Sequence, residues 1–268
     1  MIYKKNKLII DGFNVDFLAK KFNTPIYCYS LKKIKENVLN FKRYFKKINP
    51  LICFAVKANA NINILKQIKS FNLGADVVSM GELMKALKAG IKPQKIVFSG
   101  VGKTNAEIEY AISKKILLIN TESKSEILEI EKIAKSKKAI VNIGIRLNPN
   151  TDAKTISQIS TGKKENKFGM DEKLFLKLVN YVKNSKNLNL NCLSVHIGSQ
   201  ILNHKPYQKM LVVVDRIIKK SNYKFEFIDL GGGMGIDYFH KNINLNLKKY
   251  SQSIQKFLKR NSSKIIFE

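Results

Sequence analysis

The chain has 268 residues, of which 44% are hydrophobic, and it carries a formal net charge of +29. A chain of this length and hydrophobicity can bury a complete core, which suits one large α/β domain or a barrel and does not indicate a disordered tail. The charge alone does not indicate nucleic-acid binding. Lysine supplies 45 of the 49 basic residues and is spread along almost every predicted helix, whereas phosphate recognition favours clusters that include arginine. We therefore expect no nucleic-acid partner.

The N-terminus and the cysteines indicate a cytoplasmic protein without a membrane segment. Residues 1–5 lead into the charged, broken segment 11–14, where a secretory signal would need its apolar core. No run approaches the ~18 apolar residues that a bilayer-spanning helix requires. Cys28, Cys53 and Cys192 have neither CxxC spacing nor an even count, so we interpret all three as reduced core residues.

From residue 51 onwards, short β-rich runs alternate with helical patterns, which is the signature of repeated βα units. The predicted strands are 51–58, 74–79, 95–100, 116–121, 139–149, 191–199, 225–233 and 264–268. The predicted helices between them are 62–71, 81–89, 105–114, 124–136, 171–186, 206–221 and 245–260. Eight strands at this spacing favour a (β/α)8 TIM-type barrel over an open doubly wound sheet.

Two parts of the chain do not fit a self-contained barrel. Residues 1–30 form an N-terminal segment that we expect to pack against something outside the barrel, which occupies 31–268. At the other end, residue 268 closes the eighth predicted strand, and no helix follows to cover it. The polar segment 150–167 is longer than the other connections and is typical of a functional βα loop.

Polar residues close most of the predicted strands, at the rim where barrels build their active sites. They are Lys57, Asp76, Ser79, Glu82, Arg146, His196, Gly198, Ser199, Gln200, Gly231, Gly232, Gly233 and Glu268. Lys57 follows an apolar run, and burial there would lower the pKa of its amine and prepare it to form a Schiff base. Each residue also has a structural interpretation: a lysine that reaches solvent, a packed histidine, a tight glycine turn.

The glycines suggest what the lysine would react with. Gly231, Gly232 and Gly233 follow an apolar strand, and such a run lets backbone N–H groups converge on a phosphate. The run does not match the GxGxxG pattern, and no Walker lysine follows it, so a dinucleotide or P-loop site is disfavoured. A strand-end lysine combined with a phosphate site predicts pyridoxal 5'-phosphate as the cofactor.

Four segments carry a resemblance: 54–59 (FAVKAN), 74–83 (GADVVSMGEL), 196–200 (HIGSQ) and 229–233 (DLGGG). Together they resemble the barrel-type, alanine-racemase-like (fold III) pyridoxal-phosphate decarboxylases. Thr161-Gly162 followed by Lys167-Phe168-Gly169 is similar to the loop of the branch that converts meso-2,6-diaminopimelate to L-lysine and carbon dioxide in lysine biosynthesis. The resemblance implies a lyase with a small amino-acid substrate and a homodimer at full length.

The resemblance also implies a role for each residue. Lys57 would hold the cofactor through a Schiff base, and His196 would lie against the ring face. Ser199 and the three glycines would bind the phosphate, and Glu268 would pair with the pyridine nitrogen and keep it protonated.

The resemblance implies less direct roles for three more residues, and the sequence departs from the family at its C-terminal end. Asp76 and Glu82 would orient their neighbours, and Arg146 would lie close to the ring. In the family the eighth strand continues Glu-Pro-Gly-Arg into a β-domain that supplies an acid cysteine and much of the dimer contact, whereas this sequence ends at the Glu. We therefore expect a truncated chain, or one completed by a second polypeptide, with segment 1–30 packing on that β-domain.

Alternatives remain open at this stage. Ornithine, arginine and carboxynorspermidine decarboxylases share the Lys, His and glycine elements, although the 161–169 loop favours diaminopimelate. A racemase of the same barrel class is disfavoured by the order of the motifs. The chain could also be a non-catalytic remnant. We expect it alone to bind the cofactor but to decarboxylate poorly.

Overall fold

The computed structural model describes residues 2–151, 168–238 and 243–268. The chain divides into two compact units, Met1–Tyr44 and Phe45–Glu268. In the first unit, strands β1 (Ile2–Lys4), β2 (Lys7–Ile10) and β3 (Phe13–Asn14) form an antiparallel sheet. Helix α1 (Val15–Phe22) follows, and helix α2 (Leu31–Phe45) ends at the first residue of the second unit. No residue of α1 is buried.

The second unit is a closed barrel of eight parallel strands, which confirms the predicted architecture. The strands are β4 (Leu51–Ala55), β5 (Gly74–Val77), β6 (Ile96–Phe98), β7 (Leu118–Thr121), β8 (Val141–Arg146), β9 (Leu188–Ser194), β10 (Phe227–Asp229) and β11 (Lys264–Phe267). The helices are α3 (Ile62–Ser70), α4 (Met80–Lys88), α5 (Asn105–Ser113), α6 (Lys124–Ser136), α7 (Glu172–Lys183), α8 (Lys205–Ser221) and α9 (Leu247–Leu258). The barrel closes where β11 pairs with β4, with Ile266 opposite Leu51.

Capping side chains fix where several of the barrel helices begin. Ser79, Ser123 and Asp171 each accept a hydrogen bond from a backbone N–H in the first turn of α4, α6 and α7. Thr104 and Glu107 form a reciprocal capping box at the start of α5. Each cap accepts a hydrogen bond from an N–H group that has no partner within its helix, so the helix begins at a defined residue.

The core of the barrel is apolar at the level of the strands and becomes polar toward their carboxyl ends. Cys53, Val97, Leu118, Cys192, Phe227 and Ile266 form a buried cluster within the barrel wall. Cys28 is exposed, so the expectation that all three cysteines lie in the core is wrong for that residue. Within the described ranges, no helix has the length and apolarity needed to cross a membrane.

Two glycines of the barrel offer a matched test of how tightly its wall is packed. A Cβ at Gly74, on β5, would overlap the carbonyl oxygen of Lys95 and lie 2.9 Å from the sulfur of Cys53. We expect Gly74→Ala to destabilise the protein by about 2 kcal/mol or more, because backbone would have to shift. A Cβ at Gly81, on α4, would meet its nearest atom at 4.0 Å.

Urea denaturation of the two variants checks this prediction. Gly81→Ala is expected to be neutral or to stabilise by up to about 1 kcal/mol, since alanine favours the helix. Equal midpoints for the two variants would contradict the packing described here.

Candidate active site

Lys57 lies just beyond the barrel wall rather than within it. Strand β4 ends at Ala55, and Lys57 sits in a short 3₁₀ turn, Val56–Ala58, where its side chain is exposed. The expected burial of this amine is therefore wrong, because the strand ends at residue 55, three residues earlier than predicted. Its positive charge nevertheless acts on two other predicted site residues, Asp76 and His196.

Asp76 is a buried carboxyl group next to that turn. It lies opposite Ala55 in the pairing of β5 with β4 and is 1% exposed. Neither of its carboxyl oxygens has a hydrogen-bond partner among the described residues. Burial raises the pKa of Asp76 well above its ordinary value, the negative charge of Glu268 raises it further, and the charge of Lys57 opposes both.

A second buried carboxyl group, Asp229, lies on β10 and connects to Glu268 through polar side chains. The amide of Asn120 donates to Asp229 Oδ2 at 2.8 Å and to the Ser99 hydroxyl at 3.3 Å. Ser99 in turn donates to Glu268 Oε1 at 3.0 Å. Burial, the charge of Glu268 and a hydrogen bond with it raise the pKa of Asp229.

The glycine turn after β10 is pressed against two other segments of the rim. Gly231 and Gly233 have φ of 62° and 75°, a region that disfavours residues with a Cβ. A Cβ at Gly232 would overlap the carbonyl oxygen of Glu268, and one at Gly233 would overlap that of Gly198. The turn therefore requires glycine because backbone approaches backbone.

Most polar groups of this turn are already engaged within the protein. Gly231 N–H donates to Asp229 Oδ1 at 2.9 Å, and Gly232 N–H donates to His196 Nδ1 at 3.2 Å. The carbonyl of Gly231 accepts from Glu268 N–H at 3.2 Å, and that of Gly233 accepts from Ile201 N–H at 2.9 Å. Two of the three N–H groups predicted to hold a phosphate thus have acceptors already.

His196 follows β9 and is partly buried at the rim. Burial, then the positive charges of Arg146 and Lys57, lower its pKa to about 3, so the imidazole is neutral at physiological pH. Ser199 lies three residues further on and is exposed. Its hydroxyl is therefore available on the same stretch of chain that the glycine turn contacts.

Arg146, the last residue of β8, is held by an acid that sequence reasoning missed. Its guanidinium lies 2.6 Å from Glu122 Oε1, and both side chains are largely buried, at 11% and 3% exposure. The other oxygen of Glu122 accepts from Gly169 N–H at 2.9 Å. Arg146 also lies over the ring of Phe168, with its guanidinium carbon 5.0 Å from the centroid.

Buried cations and acids continue this network behind Glu122. Glu126 accepts from Glu122 N–H at 2.7 Å and from Lys103 Nζ at 2.7 Å. The Lys103 side chain is 1% exposed and also donates to two backbone carbonyls, those of Gly100 and Asn120. These charges are paired within the protein, which offsets the cost of burying them.

Some predicted residues contribute differently from expectation or lie outside the described ranges. Glu82 accepts from Val78 N–H at 2.9 Å, so it fixes the loop after β5. Thr161, Gly162 and Lys167 fall outside the described residues. The sequence offered one clear signal for a missed residue, since Asp229 is a carboxylate within an apolar strand directly before the glycines.

The comparisons with known proteins show which proteins this chain is related to. A family model described as "Pyridoxal-dependent decarboxylase, pyridoxal binding domain" matches residues 31–268. The diaminopimelate decarboxylase of Helicobacter pylori is 45% identical over 90% of this chain and 60% of its own length. That of Campylobacter jejuni is 42% identical over 88% of this chain and 60% of its own length.

Solved structures give the same picture. The crystal structure of diaminopimelate decarboxylase from Helicobacter pylori complexed with L-lysine superposes with a TM-score of 0.91 at 43% identity. The match covers 95% of this chain and 65% of that one. The chain spans about 60% of the length of the curated relatives it matches.

The pKa of Asp76 leads to a prediction with a defined sign. A carboxyl group whose pKa is raised in the folded state contributes stability below its unfolded pKa of about 3.9, and that contribution is lost as the pH rises through the folded value. We therefore expect Asp76→Asn to stabilise the protein at pH 7.5 by about 1 kcal/mol or more, with the gain shrinking as the pH falls toward 4. Thermal denaturation across this pH range checks it.

Asp215 provides a control of opposite sign. Burial raises its pKa, but bonds from Asn261 and Lys219 and the charge of Arg260 outweigh burial and lower it. Asp215→Asn should destabilise at pH 7.5, and its effect should fade as the pH falls toward the folded pKa. A pH-independent gain for Asp76→Asn would refute the electrostatic explanation.

Proposed function

This chain belongs to the pyridoxal-dependent decarboxylases, and from that premise we propose that it forms the cofactor-binding barrel of a meso-2,6-diaminopimelate decarboxylase, which yields L-lysine and carbon dioxide. One observation carries the proposal. Lys57, His196, the glycine turn and Glu268 come from four separate βα units and meet at one rim of the barrel. The cofactor of this family is pyridoxal 5'-phosphate.

The residues at the rim fit that cofactor. Lys57 offers an exposed primary amine to an aldehyde. His196 offers an uncharged ring that can lie against a pyridine face without repelling a protonated nitrogen. Glu268 offers a carboxylate that Ser99 holds in one orientation. Lys57 therefore suits the aldehyde of the cofactor, His196 suits its flat ring, and Glu268 suits its basic ring nitrogen.

The phosphate would be held by fewer glycine amides than the sequence suggested. Because Gly231 and Gly232 N–H groups already have acceptors, we assign the phosphate to Gly233 N–H and to the Ser199 hydroxyl. Gly231 and Gly232 instead hold the turn in place against Asp229 and His196. All three glycines remain necessary, but for different reasons.

The chemistry divides between cofactor and protein. When bound, pyridoxal phosphate supplies a protonated ring that accepts the electron pair released at Cα as carbon dioxide leaves. The Glu268 carboxylate would pair with the ring nitrogen and keep its proton in place. Lys57 would hold the cofactor through its Nζ. Glu122 holds Arg146 close to His196, and Asp76 and Glu82 orient the segments after β5.

The substrate follows from the relatives. The relatives at 42–45% identity are diaminopimelate decarboxylases, and the match to this chain covers 60% of their length. We propose that full activity and a homodimer require that remaining part, on this polypeptide or on a second one. Structures of lysine and arginine decarboxylases at 20% and 21% identity share the fold alone.

Covalent attachment at Lys57 is the first test of this proposal. The chain is incubated with pyridoxal phosphate, reduced with borohydride and analysed by peptide mass spectrometry. We expect a stoichiometric adduct on Lys57 and its loss in Lys57→Ala. Lys66→Ala, which removes an exposed lysine from α3, is the control and should retain the adduct. Adducts scattered equally over surface lysines would remove Lys57 from its role.

Substrate choice is tested separately. We expect the chain alone to release little carbon dioxide, and a fusion to the remaining part of the Helicobacter pylori relative to release at least about tenfold more from meso-2,6-diaminopimelate, equivalent to about 1.4 kcal/mol in the barrier. Ornithine, arginine and carboxynorspermidine serve as competitors, and light scattering reports whether the fusion is dimeric. A fusion that binds cofactor but prefers ornithine would overturn the assigned substrate.

A further inference from the structure

Gly232 is held at both of its backbone polar groups by side chains from different elements. Its N–H donates to His196 Nδ1 at 3.2 Å. Its carbonyl accepts from the hydroxyl of Tyr207 at 3.1 Å. Tyr207 lies in the first turn of α8 and is fully buried. A residue without a side chain is thus fixed between an aromatic hydroxyl and the imidazole predicted to face the cofactor.

The bond to Gly232 determines which nitrogen of His196 carries the proton. A ring nitrogen that accepts an N–H bond is unprotonated, and a neutral imidazole then has its hydrogen on the other nitrogen. His196 is therefore the Nε2–H tautomer. A Cβ at Gly231 would lie 2.5 Å from His196 Nδ1, so the turn also limits where the ring can move.

A neighbouring tyrosine, Tyr250, shows that a tyrosine can pack in this environment without a hydrogen bond to its hydroxyl. Tyr250 stacks on Tyr207 with ring centroids 4.3 Å apart and planes inclined by 25°. It is equally buried, yet its hydroxyl has no hydrogen-bond partner in the part of the chain that the structure describes. The two rings share one environment, and only the hydroxyl of Tyr207 reaches the glycine turn.

We propose that Tyr207 is a positioning residue that acts through Gly232 on His196. Its hydroxyl fixes the Gly232 carbonyl, the fixed residue presents its N–H to Nδ1, and the imidazole is kept as one tautomer with Nε2–H directed away from the turn. The same bond holds Gly233, the neighbouring phosphate donor, in place. The effect on cofactor binding rests on the proposed function, whereas the effect on the His196 tautomer does not.

The experiment compares Tyr207→Phe with Tyr250→Phe. Each removes one buried hydroxyl and leaves the ring, but only the first removes a hydrogen bond. The tautomer is measured by NMR on cofactor-free protein labelled with ¹⁵N-histidine. The sequence contains three histidines, and the signals of His196 are those that are absent from the spectrum of His196→Gln. We expect the wild type and Tyr250→Phe to give the Nε2–H pattern, and Tyr207→Phe to give a mixture of tautomers.

Cofactor affinity is the second readout. The loss of one net hydrogen bond of about 1 kcal/mol corresponds to roughly a fivefold change in Kd, and we expect Tyr207→Phe to weaken binding of pyridoxal phosphate by about that factor while Tyr250→Phe does not. If the wild type fails to bind pyridoxal phosphate, the proposed function fails, whereas the tautomer measurement still decides the role of Tyr207.

A third variant covers the case in which Tyr207→Phe folds poorly. Para-aminophenylalanine at position 207 keeps a donor at the same place on the ring and should restore both the single tautomer and the affinity. The inference is overturned if Tyr207→Phe keeps the wild-type tautomer, if Tyr250→Phe changes it equally, or if the para-amino variant behaves like phenylalanine.

Discussion

The close approach of three backbone segments at the glycine turn is the constraint on which the rest of the site depends. The turn after β10 lies against the backbone of Gly198 on one side and of Glu268 on the other, with no room for a Cβ at Gly232 or Gly233. This contact joins the ends of β9, β10 and β11 into one rigid rim. The backbones of Gly198, Glu268 and the glycine turn are thereby in direct contact, and the Glu268 carboxylate and the His196 ring extend from this contact and are held by Ser99 and Gly232 N–H.

The acids at this rim are arranged at some cost to stability. Asp76 and Asp229 are both buried, and both have raised pKa values because of burial and the nearby charge of Glu268. Asp229 has several donors around it, whereas Asp76 has none among the described residues. Such an imbalance is typical of functional sites, where local stability is given up for a polar environment.

The sequence predicted the barrel well because βα alternation is a strong, repeated pattern, and each of the eight strands overlaps its predicted range. The ends of the strands were harder to predict from the sequence. The apolar run before Lys57 continues past Ala55, where β4 ends, so the pattern predicted a longer strand. The contacts that support the site were not predictable. Glu122, Asn120 and Tyr207 meet partners that are distant in sequence and come together only in the folded barrel, and no spacing along the chain relates Tyr207 to Gly232.

Closure of the barrel has a consequence for how the protein is made. The final strand begins at residue 264, while its partner β4 begins at residue 51. A ribosome adding roughly 5–20 residues per second needs about 10–40 s to pass from one to the other. Throughout that interval β4 has no partner along the edge that β11 later covers, and an unpaired strand edge can pair with another chain.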